Sequence, residues 1–349
     1  MSPAPAAAPF DARADLPDLA FADLRALLLR EAEEHDMPVL ARSADRVTVA
    51  AAYGRISAAP AARGTRIEIG APRADWLQVM REAVIRHLAA LAPEAAGSLR
   101  WSDRTSQPEK DGLPPNVRLA RIEGVAPLGR RFARATLRLD DLSGYTDEAL
   151  HVRLCQPPPG AEAPAWPRMA ENGATVWPSG AAALHRPAYT IRRVDRAAGR
   201  LEIDVFLHEG GRTTAWARRA AQGDLVALAG PGGGGVPDAR RIVLFSDETG
   251  FPAVARILET LPHRTTGEAT LFGADPIDYP MPAHPGIRLR RMAAGAGPGL
   301  SEAAIAAIGR DGFLWAAGEK AAIARVRQAW KAAGGDPATA YLSAYWKRA

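Results

Sequence analysis

A short segment near the middle of the chain combines three side chains of complementary chemistry, Arg186, Tyr189 and Thr190. The segment is predicted to be a strand, which would place Arg186 and Thr190 on one face and Tyr189 on the other. Together the three residues supply a cation, an aromatic plane and a hydroxyl. A flavin dinucleotide uses such groups for its diphosphate, its ring and its N5 atom. The same residues also occur in ordinary strands, so the segment alone leaves both interpretations open.

A glycine-containing turn follows the next predicted strand. It comprises, in order, His208, Gly210, Gly211, Thr213 and Thr214. Glycines at a strand end, followed by hydroxyl side chains that open a helix, form a cradle in which backbone N–H groups and the helix dipole bind phosphate. We expect Thr213 or Thr214 to be the N-cap of this helix. The alternative is that His208 only ends the strand and Trp216 only packs in the core.

The composition is that of a soluble globular protein with room for two or three domains, since 47% of the 349 residues are hydrophobic and 24% are charged. The net charge of +5 is scattered. It suits anionic small molecules, and no dense basic block indicates nucleic acid. Cys155 is the only cysteine, which excludes an internal disulfide, a cysteine-held iron–sulfur cluster and a structural zinc site. We expect no metal site, so redox chemistry requires an organic cofactor.

The N-terminal sequence does not have the pattern of a signal peptide, because no basic segment precedes its apolar residues. No apolar run approaches the roughly 20 residues that a membrane-spanning helix requires. We therefore expect a cytoplasmic protein without membrane insertion.

The changing pattern along the chain predicts three folded domains. Residues 1–18 are expected to be a disordered tail, and 19–103 a small α+β accessory domain. Residues 104–115 are polar, contain three prolines and indicate a linker. Short alternating strands over 116–236 predict a six-stranded antiparallel β-barrel. Alternating buried strands and helices over 237–349 predict a parallel α/β domain.

One long loop interrupts the predicted barrel. Residues 157–180 contain six prolines and three glycines with little periodicity. Loops of this length are more often functional or mobile than structural.

Six motifs follow one another in order along the last two domains. They are Y-T-x-R from Tyr189, I-D-x-x-L-H from Ile203, G-G-x-x-T-x-W-A from Gly210, G-D-x-x-x-x-x-G-P-x-G from Gly223, L-F-S-D-E-T-G-F-P-A from Leu244 and W-A-A-G-E from Trp315. With the terminal Tyr345, Trp346 and Lys347, this series resembles the siderophore-interacting proteins. These are FAD-dependent ferric-siderophore reductases of the ferredoxin–NADP reductase superfamily. The resemblance covers about 113–349, and the accessory domain resembles a small domain of unknown function that accompanies some of these reductases.

The resemblance implies a role for each matching residue. Tyr189 would stack on the isoalloxazine ring and Thr190 would approach N5, so these two are the predicted catalytic residues. The other residues predicted to contact FAD are Arg186, His208, Gly211, Thr213, Thr214 and Ala215. Those predicted to hold NADPH or NADH are Asp247, Thr249, Pro252, Ala317, Gly318 and Glu319. Arg153 and Lys347 are predicted to bind the anionic ferric chelate, with Arg192 and Arg348 as second choices.

The chain departs from the family pattern at several positions. The family usually reads R-x-Y-T, whereas here the arginine is Arg186 and Pro187 takes its usual place. A one-residue shift turns a strand side chain to the opposite face. Arg212 replaces a proline and Gly250 an alanine, and the C-terminal motif lacks both of its glycines. The diphosphate contacts are therefore where this chain should differ most from the pattern.

The reaction implied by the resemblance is hydride transfer from NADPH or NADH to FAD, followed by two one-electron transfers to a ferric siderophore. Siderophores hold Fe(III) through hard oxygen donors and Fe(II) more weakly, so reduction releases the iron. Two alternatives remain: a reductase of the same architecture with another electron acceptor, and a non-enzymatic ferric-siderophore carrier. The siderophore, the preferred nucleotide and the oligomeric state are left open.

Overall fold

The chain divides into two units. The computed structural model describes residues 8–35, 37–102, 112–293 and 295–348. The first unit comprises Met1–Arg118 and Pro157–Leu184, and the second comprises Leu119–Gln156 and His185–Ala349. No helix among the described residues has both the length and the apolar character needed to cross a bilayer.

The first unit is built on a five-stranded antiparallel sheet in the order β1-β5-β4-β3-β2. Its strands are β1 (Phe10–Leu16), β2 (Val39–Arg42), β3 (Val47–Ala51), β4 (Gly54–Pro60) and β5 (Thr65–Ala71). Its helices are α1 (Phe21–Glu34), α2 (Ala74–Leu91) and α3 (Pro93–Ser98). Helices α1 and α2 bury apolar residues at three- and four-residue spacing, including Leu24, Leu28, Leu77 and Val84.

Part of the expected disordered tail is folded. Strand β1 pairs antiparallel with β5, from Phe10 opposite Ala71 to Leu16 opposite Thr65. Its inward side chains are Ala12, Ala14 and Leu16, all buried. Two of the three are alanines, whose small side chains give only a weak alternating signal. The expected linker at 104–115 lies outside the described residues as far as residue 111.

The long loop expected in the barrel belongs instead to the first unit, as the segment Pro157–Leu184. It contains a short hairpin of β9 (Arg168–Met169) and β10 (Thr175–Val176). Trp101 Nε1 donates a hydrogen bond to the carbonyl oxygen of Asn172 (3.0 Å), and Gln78 Nε2 donates to that of Gly173 (2.9 Å). These contacts give the loop a structural role that its composition did not predict.

The second unit begins with a closed six-stranded barrel in the order β11-β12-β7-β6-β13-β8, which confirms the predicted fold. The strands are β6 (Val117–Leu128), β7 (Phe132–Arg138), β8 (His151–Cys155), β11 (Ala188–Asp195), β12 (Arg200–Phe206) and β13 (Leu225–Gly232). Alternate residues of β12, namely Leu201, Ile203 and Val205, fill the barrel core. Helix α4 (Arg212–Arg219) follows β12.

The rest of the second unit is a parallel sheet in the order β16-β15-β14-β17-β18, as predicted for an α/β domain. Its strands are β14 (Arg241–Ser246), β15 (Thr266–Gly273), β16 (Ile287–Ala293), β17 (Phe313–Glu319) and β18 (Ala340–Trp346). Its helices are α5 (Phe251–Thr260), α6 (Leu300–Ile305) and α7 (Lys320–Ala332). Ile242 and Leu244 of β14 pack with α5, whereas Val243 and Phe245 pack with α6 and α7. The sheet is therefore covered on both faces, and the carboxyl ends of its strands meet at one edge.

A buried arginine ties the barrel to the parallel sheet. Arg256 in α5 is 5% exposed, and its Nη1 donates to the carbonyl oxygen of Ile191 in β11 (2.8 Å). Its Nη2 donates to the carbonyl oxygen of Thr146 (2.9 Å) and to Asp147 Oδ1 (2.8 Å). The strand that carries Tyr189 and Thr190 is thus fixed relative to helix α5.

Candidate functional site

The turn between β12 and α4 presents backbone donors. Gly211 is the N-cap of α4, and among the described residues no side chain caps this end. The expectation that Thr213 or Thr214 is the N-cap is therefore wrong, since both lie within the first turn. Thr214 Oγ1 instead accepts a hydrogen bond from the backbone N–H of His208 (3.1 Å). The uncapped N–H groups at the start of the helix remain suited to an anion.

Close packing favours glycine at position 211. A Cβ atom there would lie 2.8 Å from both His208 Cε1 and Thr214 Oγ1. His208 Nδ1 also donates a hydrogen bond to the carbonyl oxygen of Glu209 (3.0 Å). The turn is therefore tightly packed against the side chains of His208 and Thr214.

Arginines belong to the turn and to the two strand segments that adjoin it through Gln156. Burial raises the pKa of the Cys155 thiol to about 12, and the nearby guanidinium groups of Arg186 and Arg153 oppose this shift. Burial and the charge of Arg212 both lower the pKa of His185. Arg153 Nη1 also donates to the carbonyl oxygen of Arg186 (3.3 Å). An uncapped helix N-terminus with Arg186 and Arg212 nearby is a donor set that fits a diphosphate.

Two of the predicted motifs meet at Thr213. Burial raises the pKa of Tyr189, and a hydrogen bond with the Thr213 side chain opposes the shift. Gln156, which is 2% exposed, donates from Nε2 to Thr213 Oγ1 (3.1 Å). Tyr189, whose ring is predicted to stack on a flavin, therefore lies beside the turn at Gly211. Gln156 was missed in the sequence because only the fold brings it to the turn.

Thr190 lies on the other face of β11. It is 4% exposed and pairs with His151 across the strands β11 and β8. The His151 ring contacts Tyr345 of β18 edge-on, with 5.0 Å between centroids. His151 is the main residue of this face that sequence reasoning missed. It lies two positions before Arg153, and only the register shows that it faces Thr190.

The environment of His151 predicts an acid-sensitive fold. Burial, with a smaller effect of the Arg256 charge, lowers the pKa of His151 from 6.5 to about 4. Between pH 6.5 and 4 His151 is protonated in the unfolded chain but stays neutral in the folded chain. The free energy of unfolding therefore falls as the pH drops through this range. We expect this residue to account for a loss of about 3 kcal/mol in the free energy of unfolding. Hydrogen exchange of the barrel amides at several pH values measures it, and His151→Phe should flatten the slope. An unchanged slope in that variant would contradict the assignment.

A cluster of hydrogen-bonded residues lies at the carboxyl ends of β14 and β17. Asp247 Oδ1 accepts from Thr249 N (3.0 Å) and Thr249 Oγ1 (2.6 Å), and Asp247 Oδ2 accepts from Trp346 Nε1 (2.7 Å). Burial raises the pKa of Asp247, against these hydrogen bonds. The backbone N–H of Asp247 also donates to Ala317 O (3.3 Å), and a Cβ atom on Gly318 would lie 2.7 Å from Asp247 Oδ2. Four of the residues predicted to hold the nucleotide are thus brought together here.

The remaining predicted residues are placed as follows. Pro252 lies in the first turn of α5, next to this edge. Glu319 is the N-cap of α7, and its Oε2 accepts from the backbone N–H groups of Ala321 (2.6 Å) and Ala322 (3.1 Å). This contact gives Glu319 a structural role. Ala215 and Lys347 are exposed.

Arg192 does not present a free charge for docking. It is 7% exposed, and its Nη1 and Nη2 bind the carboxylate of Glu259 in α5 at 2.6 and 2.7 Å. This second-choice docking residue is therefore part of the contact between the barrel and α5. Arg153, by contrast, is exposed.

The fold and the two sites together define a class of protein. A closed antiparallel barrel, with an uncapped helix start beside it, is followed by a parallel α/β sheet. This is the architecture of a two-domain protein whose parallel sheet can bind a dinucleotide at the carboxyl ends of its strands.

Comparison with known proteins defines the family. The model of the siderophore-interacting FAD-binding domain matches residues 121–235, and that of the siderophore-interacting protein matches 239–349. An NADPH-dependent ferric-chelate reductase of Escherichia coli is 31% identical over 236 residues, covering 64% of this chain and 89% of that protein. The chain belongs to the siderophore-interacting protein family.

Further relatives agree with this assignment. A ferric vibriobactin reductase of Vibrio cholerae is 29% identical over 169 residues, which are 45% of this chain and 59% of that protein. The crystal structure of a siderophore utilization protein from T. fusca is 29% identical, with a TM-score of 0.54, over 66% of this chain and 93% of that one. A siderophore-interacting protein from Aeromonas hydrophila shares the fold at 22% identity, with a TM-score of 0.54 over 67% of this chain and 99% of that one.

Proposed function

We propose that the protein is an FAD-dependent ferric-siderophore reductase that uses NADPH or NADH. The observation that carries this proposal is the link from the cationic turn at Gly211, through Thr213, to Tyr189. It joins a diphosphate site to an aromatic platform in the domain whose family model is named for FAD binding. The names of the relatives from Escherichia coli and Vibrio cholerae supply the ferric substrate.

In this proposal the barrel holds FAD. The backbone N–H groups that follow Gly211 bind the diphosphate, and Arg186 and Arg212 neutralise its charge. Tyr189 supports the ring, and the Thr190 hydroxyl donates to its reacting edge. Bound FAD accepts a hydride and passes electrons on singly, which the side chains of this protein cannot do.

The parallel sheet binds the electron donor. Asp247, Thr249 and Gly318 lie together at the carboxyl ends of β14 and β17, the usual place for a dinucleotide in such sheets. The contacts of Arg256 and Arg192 fix helix α5 of this domain relative to the barrel. Hydride transfer requires the nicotinamide and the flavin to lie close together. A fixed arrangement of the two domains would therefore help to orient the two rings. We place the reaction in the cytoplasm, where reduced pyridine nucleotides are available.

The ferric chelate binds at exposed cations. Arg153 pairs with Ala188, the residue before Tyr189, so its charge stands beside the proposed ring site. Lys347 extends from the end of β18 and supplies a second charge. Reduction weakens the hold of hard oxygen ligands on iron, so Fe(II) leaves the siderophore.

Charge reversal at Arg153 should weaken this docking. We expect Arg153→Glu to raise KM for an anionic ferric chelate about five- to tenfold, and to do so most at low salt. NADPH-dependent reduction of the bound flavin should be unchanged. Arg241→Glu is the matched control, because this exposed arginine lies at the amino end of β14, the opposite end of the strand from Asp247. Equal KM values for Arg153→Glu and Arg241→Glu would show that Arg153 does not take part in docking the chelate.

The proposed function is tested on the purified full chain. Its absorption spectrum should show bound FAD, or the protein should take up added FAD. NADPH oxidation should then be stimulated by a ferric hydroxamate or a ferric catecholate. A protein that binds no FAD supports the carrier alternative. A protein that binds FAD and oxidises NADPH without stimulation by any chelate supports a reductase with another acceptor.

A further inference from the structure

One residue beside the proposed ring site has an unmet hydrogen-bonding group. His151 opens strand β8 and pairs with Thr190 of β11 on one side and with Gly232 of β13 on the other. Residues directly opposite each other in antiparallel strands point to the same face, with Cβ atoms about 4.5–5.5 Å apart. The His151 side chain therefore lies on the same face as the Thr190 side chain and directly beside it.

The ring of His151 is held from two sides. Tyr345 contacts it edge-on, with an angle of 83° between the ring planes. Gly233 has a φ of +79° and approaches so closely that a Cβ atom on it would lie 2.6 Å from His151 Nδ1. The ring is thus fixed in place, and a side chain at position 233 would displace it.

The Nε2 atom of His151 has no hydrogen-bond partner within the described part of the chain. His151 Nε2 is buried and makes no hydrogen bond to any described residue. Buried polar atoms of folded proteins are nearly always paired. Burial and Arg256 lower the pKa of His151 to about 4, so the ring is neutral at pH 7 and Nε2 either donates or accepts, depending on the tautomer.

The geometry points to His151 as a residue that contacts the cofactor, with its Nε2 hydrogen-bonded to the polar edge of the flavin ring beside Thr190. This inference rests on the proposed function, because it requires FAD to occupy the barrel. The flavin edge carries nitrogen and carbonyl oxygen atoms, so it can satisfy Nε2 as donor or as acceptor. The neutral ring adds polarity without placing a charge in a buried site.

The test measures the binding of FAD to the apoprotein and does not depend on enzymatic activity. His151→Phe keeps the ring contact with Tyr345 and removes the nitrogen, whereas His151→Gln can return a polar atom near the position of Nε2. We expect the dissociation constant of FAD to rise about tenfold in His151→Phe and to stay within about threefold of wild type in His151→Gln. The absorption envelope and midpoint potential of bound flavin should shift in His151→Phe. His263→Phe, at an exposed histidine of the same unit, should match wild type.

The outcomes separate this inference from the proposed function. If wild type binds FAD and His151→Phe binds it with the same dissociation constant, spectrum and potential, Nε2 does not contact the flavin. Equal losses in His151→Phe and His151→Gln would also overturn the inference, because packing alone would explain them. Wild-type protein that never binds FAD would overturn both the inference and the proposed function. Hydrogen exchange of the barrel amides verifies that each variant is folded.

Discussion

A Thr190→Val variant is expected to bind FAD and to accept hydride from NADPH about 100-fold more slowly than wild type, at the lower end of the effect of removing one preorganised donor. The substitution keeps the shape of a side chain that is 4% exposed, so the β11–β8 pairing should persist. What is lost is the hydroxyl predicted to donate at the reacting edge of the flavin. Stopped-flow measurement of flavin bleaching under anaerobic conditions gives the rate.

Thr48→Val controls for the loss of a buried hydroxyl. Thr48 is 4% exposed in the first unit, where its Oγ1 lies 2.9 Å from the Ser57 hydroxyl. This variant should reduce its flavin at the wild-type rate. A Thr190→Val variant that also reaches the wild-type rate would show that the Thr190 hydroxyl has no part in hydride transfer.

The largest effect on stability is expected for Asp204→Ala, at about 3–5 kcal/mol, the range for breaking a buried ion pair by removing one partner. The side chain of Asp204 is fully buried. It accepts from Arg134 Nε (2.7 Å), Arg134 Nη2 (2.8 Å) and the Tyr279 hydroxyl (2.6 Å). Its loss leaves the Tyr279 hydroxyl buried without its acceptor, and that hydroxyl connects the parallel-sheet half to the barrel. Native-state hydrogen exchange of the β7 and β12 amides measures the free energy of unfolding.

Glu123→Ala provides the comparison at the barrel surface. Glu123 binds Arg138 and Arg200, whose side chains are 58% and 49% exposed, so solvent screens these pairs. Hydrogen exchange of the same amides should be nearly unchanged. If Asp204→Ala proved as mild as Glu123→Ala, the buried network would not be what holds the barrel to Tyr279.

The periodicity of the sequence predicted the strands whose buried positions carry large apolar side chains. In β12 every second residue is a large aliphatic side chain, and in β14 four apolar residues run without a break. Strand β1 was missed because two of its three inward residues are alanines. Strand β18 was also missed, since all its residues are partly or fully exposed and its pattern is mixed. The segment Pro157–Leu184 is attached to the rest of the first unit by polar contacts such as that between Gln78 and Gly173. Such contacts produce no periodic pattern in the sequence, so they could not be predicted.

Local motifs located the candidate site, but not the residues that complete it. Tyr189, Thr190 and the turn at Gly211 were predicted because each lies in a short motif. Gln156, 57 positions before Thr213, and Arg256, 65 positions after Ile191, enter the site only through the tertiary fold. His151 required the β8–β11 register. The N-cap was misplaced because the chain uses the compact Gly211 where a threonine hydroxyl was expected.

The central claim is that this chain passes electrons from a pyridine nucleotide, through FAD, to a ferric siderophore. Its most direct test is to reduce the FAD-loaded protein anaerobically with NADPH, remove the nucleotide and mix the protein with a ferric hydroxamate. Flavin absorption and Fe(II) captured by a ferrous-specific chelator are then followed together. The account predicts that the flavin is reoxidised as Fe(II) forms, with two Fe(II) for each flavin. Flavin that stays reduced, with no Fe(II) above the protein-free control, would contradict it.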